Sequence, residues 1–289
     1  MPFNNERPER QYMLEYKRLL TAVFNARNAW GEALQPVQIL DGVRENALAF
    51  TVKTNNTPVV IGTYNTGANV AFGTGTSNSN RFGPRTEIKY INTDVPYDYT
   101  LTIHEGLDKF TVNEELDFAV SERLEIQSQA QTREMNRRIG NFIGNRAGNE
   151  VTITEVDETA IIDAFSALRA FYVNKEVYVP VTAFVTPAVY NILVKADLIT
   201  TNKNSAVNID NATLQSSFGF RLAETPEQYF AGDAVAYFIP DGIILPFVGI
   251  NEARTIFSED FIGIALQTAA KGGTYVSDEN ASVISVVTL

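Results

Sequence analysis

Apolar side chains recur along this chain with two different periods. Between Glu9 and Trp30, the residues Tyr12, Tyr16, Leu19, Leu20, Val23 and Phe24 fall on one stripe of a helix. Leu34–Ile39 then reads as extended chain, because Pro36 interrupts helix formation. Ala47–Lys53 and Pro58–Ile61 have strand composition. Ile88–Val112 reads as strand in pieces, with Tyr97, Tyr99, Leu101 and Ile103 alternating toward one face. From Glu114 to Arg146 the spacing returns to three and four through Leu116, Val120, Leu124, Gln127, Gln131, Met135, Ile139 and Phe142. Asn113 is a suitable N-cap. Glu114 and Glu115 in the first turn and Arg137, Arg138 and Arg146 toward the end complement the helix dipole. At 1.5 Å per residue this helix would be about 50 Å long. Its stripe is apolar at both ends and polar around Gln127–Gln131, so its middle is not ordinary core.

The remainder alternates between the two periods. Val151–Val156 predicts a strand, Glu158–Phe171 a helix with Ile161, Ile162, Phe165, Leu168 and Phe171 on one side, and Glu176–Val185 a strongly apolar strand. Thr186 and Pro187 open a further helix, as N-cap and first helical residue, running through Lys195. Thr200–Ser217 is a polar, Asn-rich connection. Val235–Ile239 and Ile243–Phe247 flank a Pro240-Asp241-Gly242 turn, in which proline fixes φ and glycine tolerates a positive one. Phe261–Gln267 and Ser282–Leu289 read as β-rich segments joined through a turn at Gly272-Gly273.

Composition narrows the function classes. With 289 residues and 45% hydrophobic content, the chain can bury a sizeable core as one large or two modest domains. No run approaches the ~20 apolar residues of a membrane span. Met1–Arg10 lacks the apolar region of a signal peptide, so synthesis in a cytoplasm is expected. The absence of cysteine excludes disulfides, thiolate metal sites and cysteine nucleophiles. A net charge of −11 repels nucleic acid at long range, which argues against a dedicated DNA reader.

The longest polar stretch, Ala71–Tyr90 (AFGTGTSNSNRFGPRTEIKY), lies between two strand regions at the end of a hairpin. Gly73-Thr74-Gly75 begins like a phosphate cradle. A phosphate loop would require Gly-Lys-Ser/Thr leading into a helix, whereas Arg81-Phe82-Gly83-Pro84 leads into a strand. A kinase-type loop would place Lys89 suitably, yet the only histidine, His104, is followed by Glu105 rather than by Arg-Asp. No serine nucleophile elbow exists to partner His104, and Asp41-Gly42, Asp241-Gly242 and Asp278-Glu279-Asn280 lack the alternating oxygen ligands of a calcium loop. No catalytic residue, cofactor or metal is therefore assigned. Arg133, Arg137, Arg138 and Arg146 read either as a solvated helix end or as contacts to phosphate or to a neighbouring acidic surface.

The order of parts is distinctive: an N-terminal arm, a long β-hairpin with a glycine-rich tip, a long helix, and two α/β parts ending in strands. This α+β arrangement resembles the major capsid proteins of tailed bacteriophages, the Hong Kong ninety-seven type fold. The most telling local matches are SEDFIGIALQTAAKGGTYVSDENASVISVV near the end and DKFTVNEELDFAV entering the long helix. The resemblance implies an N-terminal helix and arm over 1–46, an extended loop and peripheral-domain strands over 47–112 with Val70–Arg85 as the tip, and a spine helix and peripheral domain over 113–156. An axial domain over 157–249 and peripheral return strands over 250–289 complete it.

It further implies a structural protein rather than an enzyme. Copies would form the pentamers and hexamers of an icosahedral virion shell assembled in host cytoplasm around double-stranded DNA, bound without sequence specificity and without a membrane. Because the chain begins almost at the arm, a separate scaffolding protein is expected, together with a portal protein. Phe72, Phe82, Arg81, Arg85, Lys89, Arg133, Arg137 and Arg138 are the expected inter-subunit contacts. Some relatives lock their shells with Lys–Asn isopeptide bonds. Here Lys53 and Lys89 on the loop and Asn251 and Asn280 on the peripheral domain would be the candidates. The alternatives carried forward are an encapsulin-like nanocompartment shell and a carbohydrate- or phosphate-binding enzyme using the glycine-rich loop.

Ordering each backbone residue costs ~1–2 kcal/mol, and the tip offers few apolar groups to recover that cost within one subunit. The sequence therefore predicts a segment that neighbouring molecules must order.

Overall fold

A computed structural model describes residues 28–40, 48–55, 57–68, 70–71, 80–111, 116–199, 207–208 and 213–289. The predicted helix at Glu9–Trp30 falls almost wholly outside them. So do the N-cap at Asn113 and the tip residue Phe72. The part of that helix that is described, 28–30, is not helical, and Ala29 and Trp30 form a turn. The chain divides into two compact units, one formed by Met1–Val43 with Asp98–Leu289 and the other by Arg44–Tyr97.

In chain order the strands and helices of the first unit are β1 (Gln38–Ile39), then, after the second unit, β4 (Tyr99–Asp108), α1 (Leu116–Arg146), β5 (Asn149–Thr152), α2 (Glu158–Asn174), β6 (Val181–Val185) and α3 (Pro187–Ile199). They continue with a two-residue ladder of β7 (Val207–Asn208) and β8 (Thr213–Leu214), then β9 (Ser216–Ser217), β10 (Phe220–Glu224), β11 (Ala234–Pro240), β12 (Leu245–Phe257), β13 (Gly263–Tyr275), the short α4 (Asp278–Ala281) and β14 (Ser285–Thr288). The second unit contributes β2 (Phe50–Thr54) and β3 (Ile91–Val95), an antiparallel pair running from Phe50↔Val95 to Thr54↔Ile91.

Two sheets make up the first unit. The six-stranded one has the order β5-β14-β11-β6-β10-β9 and mixes parallel and antiparallel pairs. Its central strands β6 and β11 are buried along their whole length, which explains their near-continuous apolar sequence. The period of two then sorts side chains onto two cores. Ala183, Val185, Ala236, Phe238 and Val287 face helices α2 and α3, where Ile161, Phe165, Leu168 and Tyr172 meet Val189 and Leu193. Phe184, Tyr237, Ile239 and Val286 face the opposite way, toward Ile139 and Ile143 of α1 and toward Trp30. Asp157 caps α2, its carboxylate accepting from the Ala160 amide at 2.7 Å. The Tyr172 hydroxyl lies 2.9 Å from the Phe238 carbonyl, 3.0 Å from that of Val283 and 3.1 Å from Ser285 Oγ, tying α2 to the sheet.

The four-stranded sheet has the order β1-β12-β13-β4, with β12, β13 and β4 antiparallel and β1 parallel to β12 over Phe247 and Val248 alone. The predicted alternation holds on β4: Tyr99, Leu101 and Ile103 are more covered than Thr100, Thr102 and His104. Helix α1 packs against this strand.

Several sequence expectations need correction. Gly272-Gly273 is not a turn but lies within β13 near its end, Gly272 opposite Tyr99 on one side and Val248 on the other, and Gly273 opposite Phe247. A Cβ at Gly272 would lie 2.5 Å from the Phe247 carbonyl oxygen and 2.5 Å from the Tyr99 hydroxyl, so the glycines serve close approach rather than chain reversal. Pro58–Ile61 joins no strand. The strand predicted over Glu176–Val185 begins only at Val181, after a positive φ of 55° at Glu176, and that predicted over Val151–Val156 ends at Thr152. The Pro240-Asp241-Gly242 turn is present as expected, with φ of 67° at Gly242, and it carries the chain from the six-stranded to the four-stranded sheet. Segment 250–289 likewise contributes to both sheets.

Candidate functional site

The second unit exposes an unusual run of apolar side chains. Val59 is 90% exposed and Ile61 94%, and Val60, Tyr64, Ile88, Tyr90 and Ile91 are also open to solvent. Singly exposed apolar residues are ordinary, whereas these seven gather on two segments of one unit, 59–64 and 88–91. The two legs of the segment are joined locally. The Asn65 amide donates to the Arg81 carbonyl at 3.0 Å, and Arg81 Nη1 donates to the Asn65 carbonyl at 3.1 Å. Phe82, 82% exposed, meets Tyr64 edge-on with ring centroids 5.2 Å apart. A positive φ of 81° at Gly83 then turns the chain toward β3. Arg81 and Phe82 are thus brought together on one framed surface.

The other expected contacts lie differently. Arg85 is exposed, and Lys89 forms a solvent-exposed ion pair with Glu87 at 3.4 Å. Arg137 and Arg138 both engage Glu134 of the same helix, Arg138 Nε at 2.8 Å, and the Arg138 guanidinium also lies 5.6 Å from the centre of the Tyr99 ring. Arg133 is exposed on α1. Lys53 and Lys89 are exposed, whereas Asn251 and Asn280 are half-buried.

The polar middle of α1 proves to be an anchor. Glu105 occupies a helix-facing place in the β4 alternation, where Arg123 Nε and Nη2 donate to its two carboxylate oxygens at 2.6 and 2.5 Å and Gln127 Nε2 donates at 2.7 Å. Gln127, Ser128, Thr132 and Asn136 are all buried along the same helix. Arginine hydrogen bonding holds the Glu105 carboxyl below the usual glutamate range, against a smaller opposing effect of desolvation. A lowered folded value means that the stabilisation is complete above the ordinary carboxylate range and disappears as pH falls through the folded value. Glu105→Gln is therefore expected to cost about 1 kcal/mol or less at neutral pH, since Arg123 is 42% exposed. It should also flatten the fall in melting temperature below about pH 4. Thermal unfolding of both proteins between pH 3 and 7 checks this.

His104 offers no comparable chemistry. It lies exposed on the outer sheet face, 3.3 Å from Gln267 Nε2, and Gln267 in turn accepts from Arg254 Nε at 2.7 Å. Neither a nucleophile nor a buried acid adjoins it in the shallow depression formed with Thr102, Glu252 and Thr268.

No protein-family model matches the chain, and no curated protein matches it. Solved structures do. The capsid of cyanophage P-SCSP1u is similar with a TM-score of 0.65 at 10% identity, covering 89% of this chain and 90% of that one. The mature capsid of bacteriophage PhiM1 gives 0.61 at 12% identity over 88% and 85%. This chain has the phage capsid fold. A virus-like particle from Pyrococcus furiosus is also similar, with a TM-score of 0.52 at 10% identity over 94% and 98% of the two chains. The α+β capsid fold expected from the sequence is thus observed, although the conservation is one of shape and not of residues. Within it, the apolar strip of the second unit belongs to the region that the resemblance assigns to the extended loop.

Proposed function

We propose that the chain is a major capsid protein whose copies assemble into the pentamers and hexamers of an icosahedral shell around double-stranded DNA. The carrying observation is the exposed strip Val59, Val60, Ile61, Tyr64, Phe82, Ile88, Tyr90 and Ile91. Burying one such side chain is worth ~1.5–3 kcal/mol, so covering several on a neighbour supplies an association energy of the size that specific contacts use. Arg81 and Phe82 lie in this contact, Phe72 belongs to the same loop in sequence, and Arg85 and Lys89 supply polar rim contacts, while Arg133, Arg137 and Arg138 of α1 serve a separate inter-subunit contact. The role is structural and requires no catalysis.

The peripheral region comprises the four-stranded sheet and spine helix α1, and residues 157–249 meet their copies at the capsomer axis. Assembly takes place in host cytoplasm with a scaffolding protein and a portal, and the product is the virion shell. The acidic chain suits a container whose wall must not adhere to its contents: a charge of −11 per subunit disfavours tight DNA binding.

The purified protein, alone and with its scaffold, is expected to sediment as megadalton particles that negative-stain microscopy shows as closed shells. A chain that stays monomeric at high concentration in both conditions would overturn the reading. Nucleic acid in particles recovered from infected cells, rather than protein cargo, separates a virion from a nanocompartment.

A further inference from the structure

Helix α1 buries one face and turns another to solvent. The buried face runs through Gln127, Thr132, Met135 and Ile143. The open face runs through Glu122, Ile126, Gln129, Ala130, Arg133 and Arg137, of which only Gln129 is half-buried, and Ile126 is 46% exposed. At 3.6 residues per turn these six fall within about 100° of arc. Charge is sorted along this face, acid at Glu122 with Glu125 on its flank, base at Arg133 and Arg137. The helix dipole does not account for the sorting. Its influence is confined to the first and last turns, whereas Glu122 and Arg137 both lie more than a turn inside Leu116–Arg146. On the opposite flank Glu134 binds Arg137 and Arg138, while Glu122 and Arg133 have no ion-pair partner among the described residues.

We infer that the open face of α1 packs against the same face of a second copy, the two helices antiparallel about a twofold axis between residues 129 and 130. The inference rests on the reading of the chain as a self-assembling shell subunit and names what Arg133 and Arg137 meet. A twofold contact must be self-complementary, each residue meeting one that meets it in return. About this centre Glu122 falls opposite Arg137, Ile126 opposite Arg133 and Gln129 opposite Ala130. Every Glu–Arg pair is thus made twice. The aliphatic stem of Arg133 covers Ile126, and the small Ala130 lets the backbones approach at the axis. Arg137 has donors enough for Glu134 of its own helix and Glu122 of the other copy. A parallel alignment would instead set Glu122 against Glu122 and arginine against arginine, a repulsive arrangement. Interfaces that stand alone cover ~1,200–2,000 Å², more than one helix face provides, so the pair forms between subunits already held in a shell and not as a free dimer.

The chain contains no cysteine, so introduced ones can be read without background. Particles of Ala130→Cys, oxidised and resolved on non-reducing gels, are expected to give a band of twice the subunit mass. Glu122→Cys alone should give none, because its copies lie about 22 Å apart along the paired helices, yet it should link to Arg137→Cys when the two are co-assembled. Glu122→Arg should raise the protein concentration needed for particles about threefold or more, and adding Arg137→Glu should restore it. In the unsubstituted protein, Arg133 and Arg137 should react with phenylglyoxal roughly fivefold more slowly in particles than in free subunits, since the contact excludes water from them. Particles that give no band from Ala130→Cys and none from the mixture, a band from Glu122→Cys alone, or equal labelling of Arg133 in both states would overturn the helix pairing while leaving the shell reading intact. An unsubstituted protein that never forms particles would overturn both.

Discussion

Replacing Val59 and Ile61 together by aspartate is expected to leave the subunit folded and to abolish its assembly. Neither side chain is buried and neither residue belongs to a ladder, so the substitutions remove nothing that holds the subunit together. Surface changes of this kind usually fall within about 0.5 kcal/mol of neutral. In an assembled contact the same two positions would place charges where apolar surface is covered, losing ~3–6 kcal/mol of burial before any charge desolvation. That is a factor of roughly 100 to 10,000 in each association constant, and a closed shell repeats the contact many times. Sedimentation velocity should show monomers or small oligomers where the unsubstituted protein gives particles, with superimposable thermal melts. Normal particles from the double variant would contradict the assignment of this strip.

Trp30→Ala is expected to produce the largest loss of stability in a single subunit. The indole is fully buried, with ring centroids 5.1 Å from Phe184 and 5.7 Å from both Phe230 and Tyr237, and its Nε1 donates to the Asn136 carbonyl at 2.8 Å. It is where α1, the six-stranded sheet and segment 28–40 meet. Truncating a buried Trp costs ~3–5 kcal/mol, a large share of the 5–15 kcal/mol that holds a typical domain folded. The loss should also loosen the short segment that follows, which is held by the Gln35 amide donating to the Ile244 carbonyl at 2.8 Å. Urea unfolding followed by circular dichroism measures the cost. Trp30 is the only tryptophan, so fluorescence of the unsubstituted protein reports the same core directly. A midpoint shifted by less than the equivalent of 1 kcal/mol would mean that this core tolerates the void.

The parts of the fold that periodicity reveals are those whose burial is decided within the element itself. β11 is legible because both its faces are buried, and α2 because its stripe of Ile161, Phe165 and Leu168 has one neighbour to satisfy. Gly272-Gly273 is misleading because composition marks chain reversal and close approach with the same residue. Only the positions of Tyr99 and Phe247 decide between them. Pro58–Ile61 is misread for a related reason: β propensity describes a side chain's fitness for a sheet and is silent on whether a partner strand exists. Of the site, Arg81 and Phe82 are legible from the odd composition of their loop, whereas the more exposed Val59 and Ile61 look like ordinary strand residues. The Glu105–Arg123–Gln127 anchor had a signal available, a carboxylate on the covered side of the Leu101, Ile103, Leu107 alternation. Its partners follow only from the register of the helix on the sheet.

β14 lies between β5 and β11, so the six-stranded sheet has a gap in it until residues 285–288 have been made. During translation at ~5–20 residues per second, α1, α2 and both flanking strands emerge well before the strand that joins them. A nascent polypeptide cut short anywhere upstream would lack that joint, with Val151 and Ala236 left without their Val287 neighbour. The architecture thereby ties closure of the six-stranded sheet to completion of synthesis through these residues.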